Sequence, residues 1–182
     1  MGVRFDPLSF RAGRRRDPEI DETPRPDETA SAYVRRLALA KAGHGARIAL
    51  WRGLAPRPAL SADTTLEVDG DIIGKPVDQE DAFAILRRLS GRSHRVLTGV
   101  ALSCGEETRV FVNASVVRFR PLDEDEIRRY VSSGEPLDKA GAYGIQGGAG
   151  CFVEQIDGSF TGIMGLPLRE TSLLLKAAGY LR

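Results

Sequence analysis

Cysteine is scarce in this sequence of 182 residues, and net charge is close to zero. The two cysteines, Cys104 and Cys151, lack the spacing of a metal-ligand pair and are too few for a disulfide framework, so we expect two reduced, buried thiols. A net charge of +1 gives the whole molecule no electrostatic attraction to nucleic acid or to a membrane. No apolar run approaches the roughly 20 residues of a membrane span, and no secretory signal pattern opens the chain. We therefore expect a soluble cytoplasmic protein.

The residues that are present have the balance of a globular protein. Apolar residues make up 42% and charged residues 28% of a chain whose length suits one domain with a sizeable core. Residues 1–28 depart from this balance, because they combine arginines, acidic residues and prolines without sustained periodicity. We predict an irregular, atypical N-terminal segment over 1–28 and a single domain over 29–182.

The first predicted helix begins at Thr29, where apolar residues start to repeat at helical spacing, and stops at Gly43. A Gly/Pro/Arg-rich connection follows over 43–58. This connection carries the only tryptophan, Trp51, for which a core position and an interface position both stay open.

Further elements follow from alternation, turn residues and caps. Strands are predicted at 60–68, 93–104, 109–120 and 151–156, and helices are predicted to open at Asp78, Asp123 and Pro167. Asp69-Gly70 is a strong hairpin-turn signal. Because β and α elements mix without regular βαβ alternation, we predict an α/β fold with a mixed sheet flanked by helices.

Residues 138–147 form a loop whose small residues allow a backbone to approach a ligand closely. Lys139 can meet phosphate oxygens, Tyr143 can stack on a base, and Gln146 offers a donor and an acceptor side by side. Together these side chains suggest a nucleotide site. A glycine-rich loop is more often a structural turn, but two further short strings, 62–64 and 74–76, strengthen the functional interpretation.

The chain resembles the Maf family of nucleoside triphosphate pyrophosphatases in these strings and in their order and spacing. The matching segments lie within residues 20–182 and are 33–42, 62–102, 117–122, 127–160 and 165–170. The resemblance implies a two-lobed fold related to inosine triphosphatases, with a mixed sheet, flanking helices and a central cleft. It makes residues 29–182 a catalytic domain and further implies a homodimer and a divalent metal, Mg²⁺ or Mn²⁺.

Asp63, in the string Ala-Asp-Thr, is our candidate general base and metal ligand, because the family places its catalytic acid there. Its alternative role is a hydrogen-bonding turn residue. Thr64 occupies a position that the family associates with substrate choice. Glu22 matches an acidic position of the family and is our second candidate metal ligand, although a solvated surface charge explains it equally well.

Three lysines are candidates for binding the triphosphate. Lys75 is presented rigidly between Gly74 and Pro76, Lys41 matches a lysine of the family, and Lys139 can reach the substrate or pair with Asp138. Lys41 would also suit the dipole of a helix end. His94 is interpreted as a polar strand residue, since no Ser or Cys partner indicates nucleophilic catalysis.

Gln146 is the candidate for base choice, because one amide can satisfy both O4 and N3–H of a pyrimidine. The wording around it, GAYGIQG, resembles the branch of the family that acts on dTTP and UTP, and the branch that acts on 7-methyl-GTP departs from it. The resemblance thus implies release of pyrophosphate from dTTP, UTP and modified pyrimidine nucleotides.

The N-terminal part departs from the family. Members of the family begin with a strand, a Ser-x-Ser-Pro-Arg-Arg turn and a helix. Residues 3–8 of this chain resemble the family's sequence after that helix. A start assigned too late, a genuinely short enzyme and a decayed copy are the three explanations. We favour the first, because loss of a strand would expose a sheet edge. Arg14, Arg15 and Arg16 echo the motif but read as a solvated basic run.

Two other functions stay open from the sequence. One is a non-catalytic regulator of cell division or septum formation that acts through protein contacts. The other is a purine-directed house-cleaning pyrophosphatase. The combination of Asp63, Lys75, Lys139 and Gln146 favours the pyrimidine enzyme, because a pure binding module has no need of it.

Overall fold

The computed structural model describes residues 2–9 and 20–181. Within these residues there are five strands: β1 Ala59–Val68, β2 Asp71–Ile73, β3 Ser93–Cys104, β4 Glu107–Phe119 and β5 Val153–Asp157. The α-helices are α1 Ala30–Trp51, α2 Gln79–Leu89, α3 Glu124–Ser132, α4 Phe160–Ile163 and α5 Leu168–Ala177. Three short 3₁₀ turns occupy Glu135–Asp138, Ala140–Ala142 and Gly148–Phe152.

The strands form one sheet in the order β2-β1-β3-β4-β5. The predicted α/β class, with a sheet flanked by helices, is confirmed. The sheet was predicted to be mixed, whereas all strand pairs of the described residues are antiparallel. Asp69 and Gly70 have φ values of 55° and 87°, as the predicted β1–β2 hairpin turn requires. Since β2 pairs only with residues 66–68 of β1, residues 59–65 pair on the β3 side alone within the described chain.

Helix α1 is longer than the sequence predicts. Thr29 caps it by accepting a hydrogen bond from the Ala32 amide, but the helix continues through Gly43 to Trp51. The stop predicted at Gly43 is therefore wrong, and so is the first half of the predicted connection. Burial of Ile48 explains the difference, because tertiary packing of a helix outweighs the roughly 1 kcal/mol by which glycine disfavours it. Trp51 is exposed at the helix end, which excludes its core position.

Helices α2 and α3 begin where their capping residues predict. Asp78 accepts a hydrogen bond from the Asp81 amide at 2.8 Å, and Asp123 accepts one from the Glu126 amide at the same distance. These two helices, α2 and α3, pack over the largest hydrophobic cluster, which includes Phe119 of β4. Because each cap satisfies amides that the first helical turn leaves unpaired, both helices have well-defined starts.

The two faces of the sheet carry different helices. Helix α1 covers the face that includes Leu97 and Ala101 of β3, and α5 packs with Val100 and Leu102 on the other face. This division follows from the strand period of two residues. It means that consecutive residues of β1 also face different helices.

Both cysteines lie at the surface of the protein. Cys104 and Cys151 are both free, as predicted, but both are exposed, so the expectation that they are buried is wrong. Cys104 ends β3 and Cys151 lies in the last 3₁₀ turn, and both places lie at the surface. No helix among residues 2–9 and 20–181 has the length and hydropathy of a membrane span.

Candidate active site

One cleft of about 950 Å³ brings together all the predicted site residues that carry named roles. These residues are Glu22, Lys41, Asp63, Thr64, Lys75, Lys139 and Gln146. The cleft runs from the outer edge of β1 to the loop that ends at Gly147. The arginine run 14–16 lies outside the described residues.

A lysine bridges two carboxylates at one end of the cleft. The Nζ atom of Lys41 lies 2.5 Å from Oδ1 of Asp63 and 2.7 Å from Oε1 of Glu22. Tyr33 lies about two helical turns before Lys41 on α1. It donates its hydroxyl proton to the Glu22 carbonyl oxygen at 2.8 Å. We call Lys41, Asp63 and Glu22 the charged triad. The triad places two anionic oxygens and one ammonium group within contact distance of each other.

Gly99 allows α1 to come this close to the sheet. Gly99 pairs with Asp63 in the β1–β3 ladder. A Cβ atom at Gly99 would lie only 2.4 Å from the Val34 carbonyl oxygen of α1. The absence of a side chain here therefore sets the distance between α1, which carries Lys41, and β1, which carries Asp63.

Burial and ion pairing act in opposite directions on the triad. Burial raises the pKa of Asp63 above its usual value, and the hydrogen bond from Lys41 offsets only part of that rise. Burial lowers the pKa of Lys41, but its hydrogen bonds to Asp63 and Glu22 outweigh burial and the pKa is raised overall. Asp63 is thus a stronger base than a solvated aspartate, held next to a permanent cation.

Thr64 faces the opposite side of β1 from Asp63. Its Oγ1 atom lies 2.8 Å from Oγ1 of Thr98, and Thr98 donates its single hydroxyl proton to the Gly162 carbonyl oxygen at 2.7 Å. Thr64 must therefore donate its own proton to Thr98. Toward a molecule in the cleft, the Thr64 oxygen can therefore act only as a hydrogen-bond acceptor, through its two lone pairs.

Two lysines line the other side of the cleft. Lys75 is exposed, and the neighbouring Gly74 carbonyl accepts a hydrogen bond from the Gly141 amide at 2.9 Å, which ties the two glycine-containing strings together. Lys139 donates to the Asp138 carboxylate at 2.6 Å and to the Glu135 carbonyl oxygen at 3.2 Å. The predicted pairing of Asp138 with Lys139 is confirmed.

Gln146 is exposed at the tip of the glycine-rich loop. The Gly147 amide donates to the Gly144 carbonyl oxygen at 3.0 Å, so the chain turns tightly around Gln146. The Gln146 side chain lines the same cleft as the charged triad, so its amide is available to a molecule bound there.

Tyr143 does not offer the stacking face that the sequence suggests. It is 6% exposed and makes an edge contact with Phe119 in the core. Its hydroxyl lies 2.8 Å from Nε2 of His94, a buried residue of β3. Burial lowers the pKa of His94 to about 4 and raises the pKa of Tyr143, so the pair is neutral near pH 7. His94 is a core residue that anchors the loop.

Three residues of the cleft region have contacts that the sequence does not predict. Thr98 fixes the proton of Thr64, Tyr33 contacts Glu22, and the carboxylate of Glu135 accepts hydrogen bonds beside Gln146. The sequence pattern places Tyr33 on one face of the first helix and Thr98 in a strand, and indicates nothing about their contacts in the cleft. No periodic pattern signals any of the three, because their contacts join segments that are distant along the chain.

Asp63 and Glu22 suit a hard divalent cation. Their carboxylate oxygens converge on one point, which the Lys41 ammonium contacts in this structure. Among residues 2–9 and 20–181, no three or more His, Cys, Asp or Glu side chains group as a complete metal site. A pair of carboxylates fits Mg²⁺, which usually combines one or two carboxylates with waters and substrate phosphates.

Comparisons with known proteins identify the family and several relatives of this chain. The family model described as Maf-like protein matches residues 7–178. A dTTP/UTP pyrophosphatase of Aromatoleum aromaticum is 61% identical over 181 residues, which cover 99% of this chain and 88% of the relative. Proteins of the same name are 60% identical in Dechloromonas aromatica, over 99% of this chain and 90% of the relative, and 54% identical in Chromobacterium violaceum, over 89% and 82%.

Proposed function

The chain belongs to the Maf family, and from this premise we propose that it is a nucleotide pyrophosphatase that hydrolyses dTTP and UTP, together with modified pyrimidine nucleotides. The products are the nucleoside monophosphate and pyrophosphate. One observation carries the proposal: a base-reading amide, two lysines and the charged triad line the same cleft.

The reaction adds water across the bond between the α- and β-phosphates. A water oxygen attacks the α-phosphorus, the bond from that phosphorus to the bridging oxygen breaks, and pyrophosphate leaves with the bond electrons. We assign the general base to Asp63, whose carboxylate accepts the proton of the attacking water. The raised pKa of Asp63 favours this role, because a base is most effective when its pKa approaches the working pH.

The lysines hold the phosphate chain. Lys75 lies within electrostatic reach of Asp63, and Lys139 can exchange its contact with the exposed Asp138 for a phosphate oxygen. Lys41 orients the Asp63 carboxylate through their hydrogen bond. Three cations around one cleft offset the negative charge of the triphosphate, which is the main electrostatic demand of phosphoryl transfer.

We also assign a divalent cation, Mg²⁺ or Mn²⁺, to Asp63 and Glu22. Such an ion, when bound, neutralises phosphate charge and polarises phosphoryl oxygens. The support is the chemistry of the two carboxylates, whose oxygens already converge on a cation, the Lys41 ammonium. Titration of the protein with Mn²⁺, followed by its paramagnetic effect on Glu22 and Asp63 resonances, tests this assignment independently of turnover.

Gln146 and Thr64 are the residues we assign to substrate choice. The Gln146 amide can donate to O4 and accept from N3–H of thymine or uracil. The Thr64 hydroxyl, whose proton is used by Thr98, accepts a hydrogen bond from the substrate. Neither residue carries charge, so they distinguish substrates by the pattern of donors and acceptors.

A panel of nucleotides with released pyrophosphate as readout tests the function. With Mg²⁺ present, dTTP and UTP should be hydrolysed with a higher kcat/KM than GTP and 7-methyl-GTP. A panel led by purine nucleotides would contradict the pyrimidine assignment and favour a purine-directed enzyme. Absence of pyrophosphate release from every nucleotide would favour the non-catalytic regulator.

We further propose a cytoplasmic homodimer. Leu50, Trp51 and Leu54 are all exposed around the end of α1, and apolar residues grouped in this way often mark a protein contact. The cytoplasm is where nucleoside triphosphates are made and used. Light scattering of the purified protein should give twice the chain mass of 19.8 kDa. A monomer at micromolar concentration would contradict the dimer.

A further inference from the structure

The carboxylate of Glu135 fastens the loop that carries Gln146. Its Oε1 atom accepts a hydrogen bond from the Tyr130 hydroxyl at 3.0 Å, and its Oε2 atom accepts one from the Gly148 amide at 3.0 Å. The Tyr130 oxygen in turn accepts a hydrogen bond from the Gly144 amide at 3.3 Å. Glu135, directly at one end and through Tyr130 at the other, thus holds both ends of residues 144–148.

The loop is shaped around this carboxylate. A Cβ atom at Gly147 would lie 1.9 Å from the Glu135 Oε1 atom. The φ value of Gly147 is −104°, which any residue can adopt, so the glycine is needed for space and not for backbone conformation. An added methyl group at residue 147 would drive the carboxylate away from Tyr130 and the Gly148 amide.

The same residue also supports a phosphate-binding lysine. The backbone carbonyl oxygen of Glu135 accepts a hydrogen bond from Nζ of Lys139. A Cβ atom at Gly144 would lie 2.8 Å from the Lys139 Cε atom, so the loop leaves space for the lysine stem as well. Glu135 therefore lies between the residue that reads the base and a residue that meets the phosphates.

Regular secondary structure does not hold Gln146 in place. Residues 143–147 belong to no helix or strand, and they lie between the 3₁₀ turns Ala140–Ala142 and Gly148–Phe152. The hydrogen bonds of Glu135 and Tyr130 take the place of a helix or a strand ladder there. We propose that Glu135 is a positioning residue for base selection, which it secures by fixing the Gln146 loop; this inference rests on the proposed pyrimidine nucleotide pyrophosphatase function.

The first test replaces Glu135 by glutamine. The amide of Glu135→Gln has one acceptor oxygen where the carboxylate has two, so either the Tyr130 hydroxyl proton or the Gly148 amide loses the oxygen that accepts from it. The ratio of kcat/KM for dTTP to that for GTP should fall about 10-fold, because hydrogen bonds to charged groups contribute roughly 1.5–3 kcal/mol. The fall should appear as a higher KM for dTTP, with kcat changed less than twofold.

Matched variants separate positioning from general stability. Glu106→Gln makes the same change at an exposed turn and should leave the ratio unchanged. Tyr130→Phe removes the hydroxyl that joins Glu135 to the Gly144 amide but keeps the contact of Glu135 with the Gly148 amide, so it should reduce the ratio less than Glu135→Gln does. Hydrogen exchange should show faster exchange of the Gly148 amide in Glu135→Gln while the amides of β3 stay protected.

A double-variant cycle tests the steric part of the argument. Gly147→Ala should reduce the ratio in the wild-type background, because the methyl group displaces the Glu135 carboxylate. In a Glu135→Ala background the same change should have little further effect, since the carboxylate that it displaces is absent. Additive effects of the two substitutions on the ratio would contradict a contact-based role.

The failure of this inference differs from the failure of the proposed function. If the wild type prefers dTTP and Glu135→Gln keeps both that preference and the Gly148 protection, the positioning role is overturned and the function stands. If the wild type shows no preference for pyrimidine triphosphates, the function is overturned by the wild type alone. A selective loss of preference in Glu135→Gln, with the melting temperature and kcat retained, supports the inference.

Discussion

The two ends of the cleft are built in different ways. At the charged end, Lys41 and Asp63 lie on a helix of 22 residues and a strand of 10, which are held by backbone ladders and by close packing at Gly99. At the loop end, Gln146 lies between short 3₁₀ turns, held by hydrogen bonds that the Gly144 and Gly148 amides donate to side-chain oxygens. A rigid scaffold thus supports the proposed chemistry, and a few individual contacts support the proposed base selection.

The largest expected effect comes from removing the general base, Asp63, at the charged end of the cleft. Asp63→Asn should reduce kcat for dTTP by roughly 10²–10⁴-fold, since removal of a general base typically costs that much. The pyrimidine preference of the residual activity should persist, because the loop end is untouched. Steady-state kinetics of pyrophosphate release measures both quantities. Asp157→Asn, at the exposed end of β5, is the matched control, and unchanged turnover in Asp63→Asn would exclude Asp63 as the base.

The second prediction concerns the anchor of the loop end. The pKa of His94 is lowered to about 4 in the folded protein, against about 6.5 when unfolded. The unfolded state therefore binds more protons between these values, and the free energy of unfolding should fall by about 3 kcal/mol as pH decreases from 6.5 to 4. Above pH 6.5 this contribution is constant.

Urea titrations at several pH values measure this dependence. His94→Gln removes the titrating group, so the fall between pH 6.5 and 4 should be smaller in this variant by the His94 contribution. Equal pH dependence in the variant and the wild type would show that His94 is not responsible. The β1–β3 ladder should keep its hydrogen-exchange protection at pH values where the Tyr143 segment begins to exchange.

Gly99→Ala should disturb only the charged end of the cleft. The added methyl group meets the Val34 carbonyl oxygen, and overpacking of this kind destabilises a protein by about 1–3 kcal/mol. Because α1 must move away from Asp63, kcat should also fall while the dTTP to GTP ratio is kept. Gly43→Ala, on the same helix with no atom near its Cβ, should instead stabilise by about 0.5–1 kcal/mol. Chemical denaturation of the two variants checks the contrast in sign.

The smallest expected effect comes from the tip of the loop. Gln146→Glu should lower the dTTP to GTP ratio about 3–10-fold, because a carboxylate cannot donate to O4 and one hydrogen bond contributes about 1 kcal/mol net. Gln155→Glu adds the same charge on exposed β5 and serves as the control. A ratio that changes equally in both variants would indicate a general effect of charge.

The charged end of the cleft was the easier part to predict from the sequence. The strand predicted at 60–68, which carries Asp63, is present as β1, and the capping residues Asp78 and Asp123 gave the starts of two helices. The stop at Gly43 failed because α1 is buried against β1 and β3, strands that come later in the chain. Local propensity contains no information about such contacts.

The loop end shows the opposite limit. The glycines around Gln146 indicated a ligand loop, and the structure places that loop on the cleft. The role of Gly147 in making space for Glu135 could not be predicted, since it joins a side chain to a backbone 12 residues further on without any repeating pattern. Tyr143 was misjudged for a related reason: an aromatic residue in a loop can be exposed for stacking or buried as an anchor, and only the presence of His94 decides.

Strand β1 carries the proposed base and a proposed specificity residue as immediate neighbours, with Asp63 on the α1 face and Thr64 on the other. Because side chains alternate along a strand, inserting or deleting one residue before Asp63 would exchange the two faces. The acid would then meet the α4 side, and the hydroxyl would meet Lys41. Substitutions can therefore accumulate in β1 one at a time, whereas a change of its length would remove chemistry and selection in a single event.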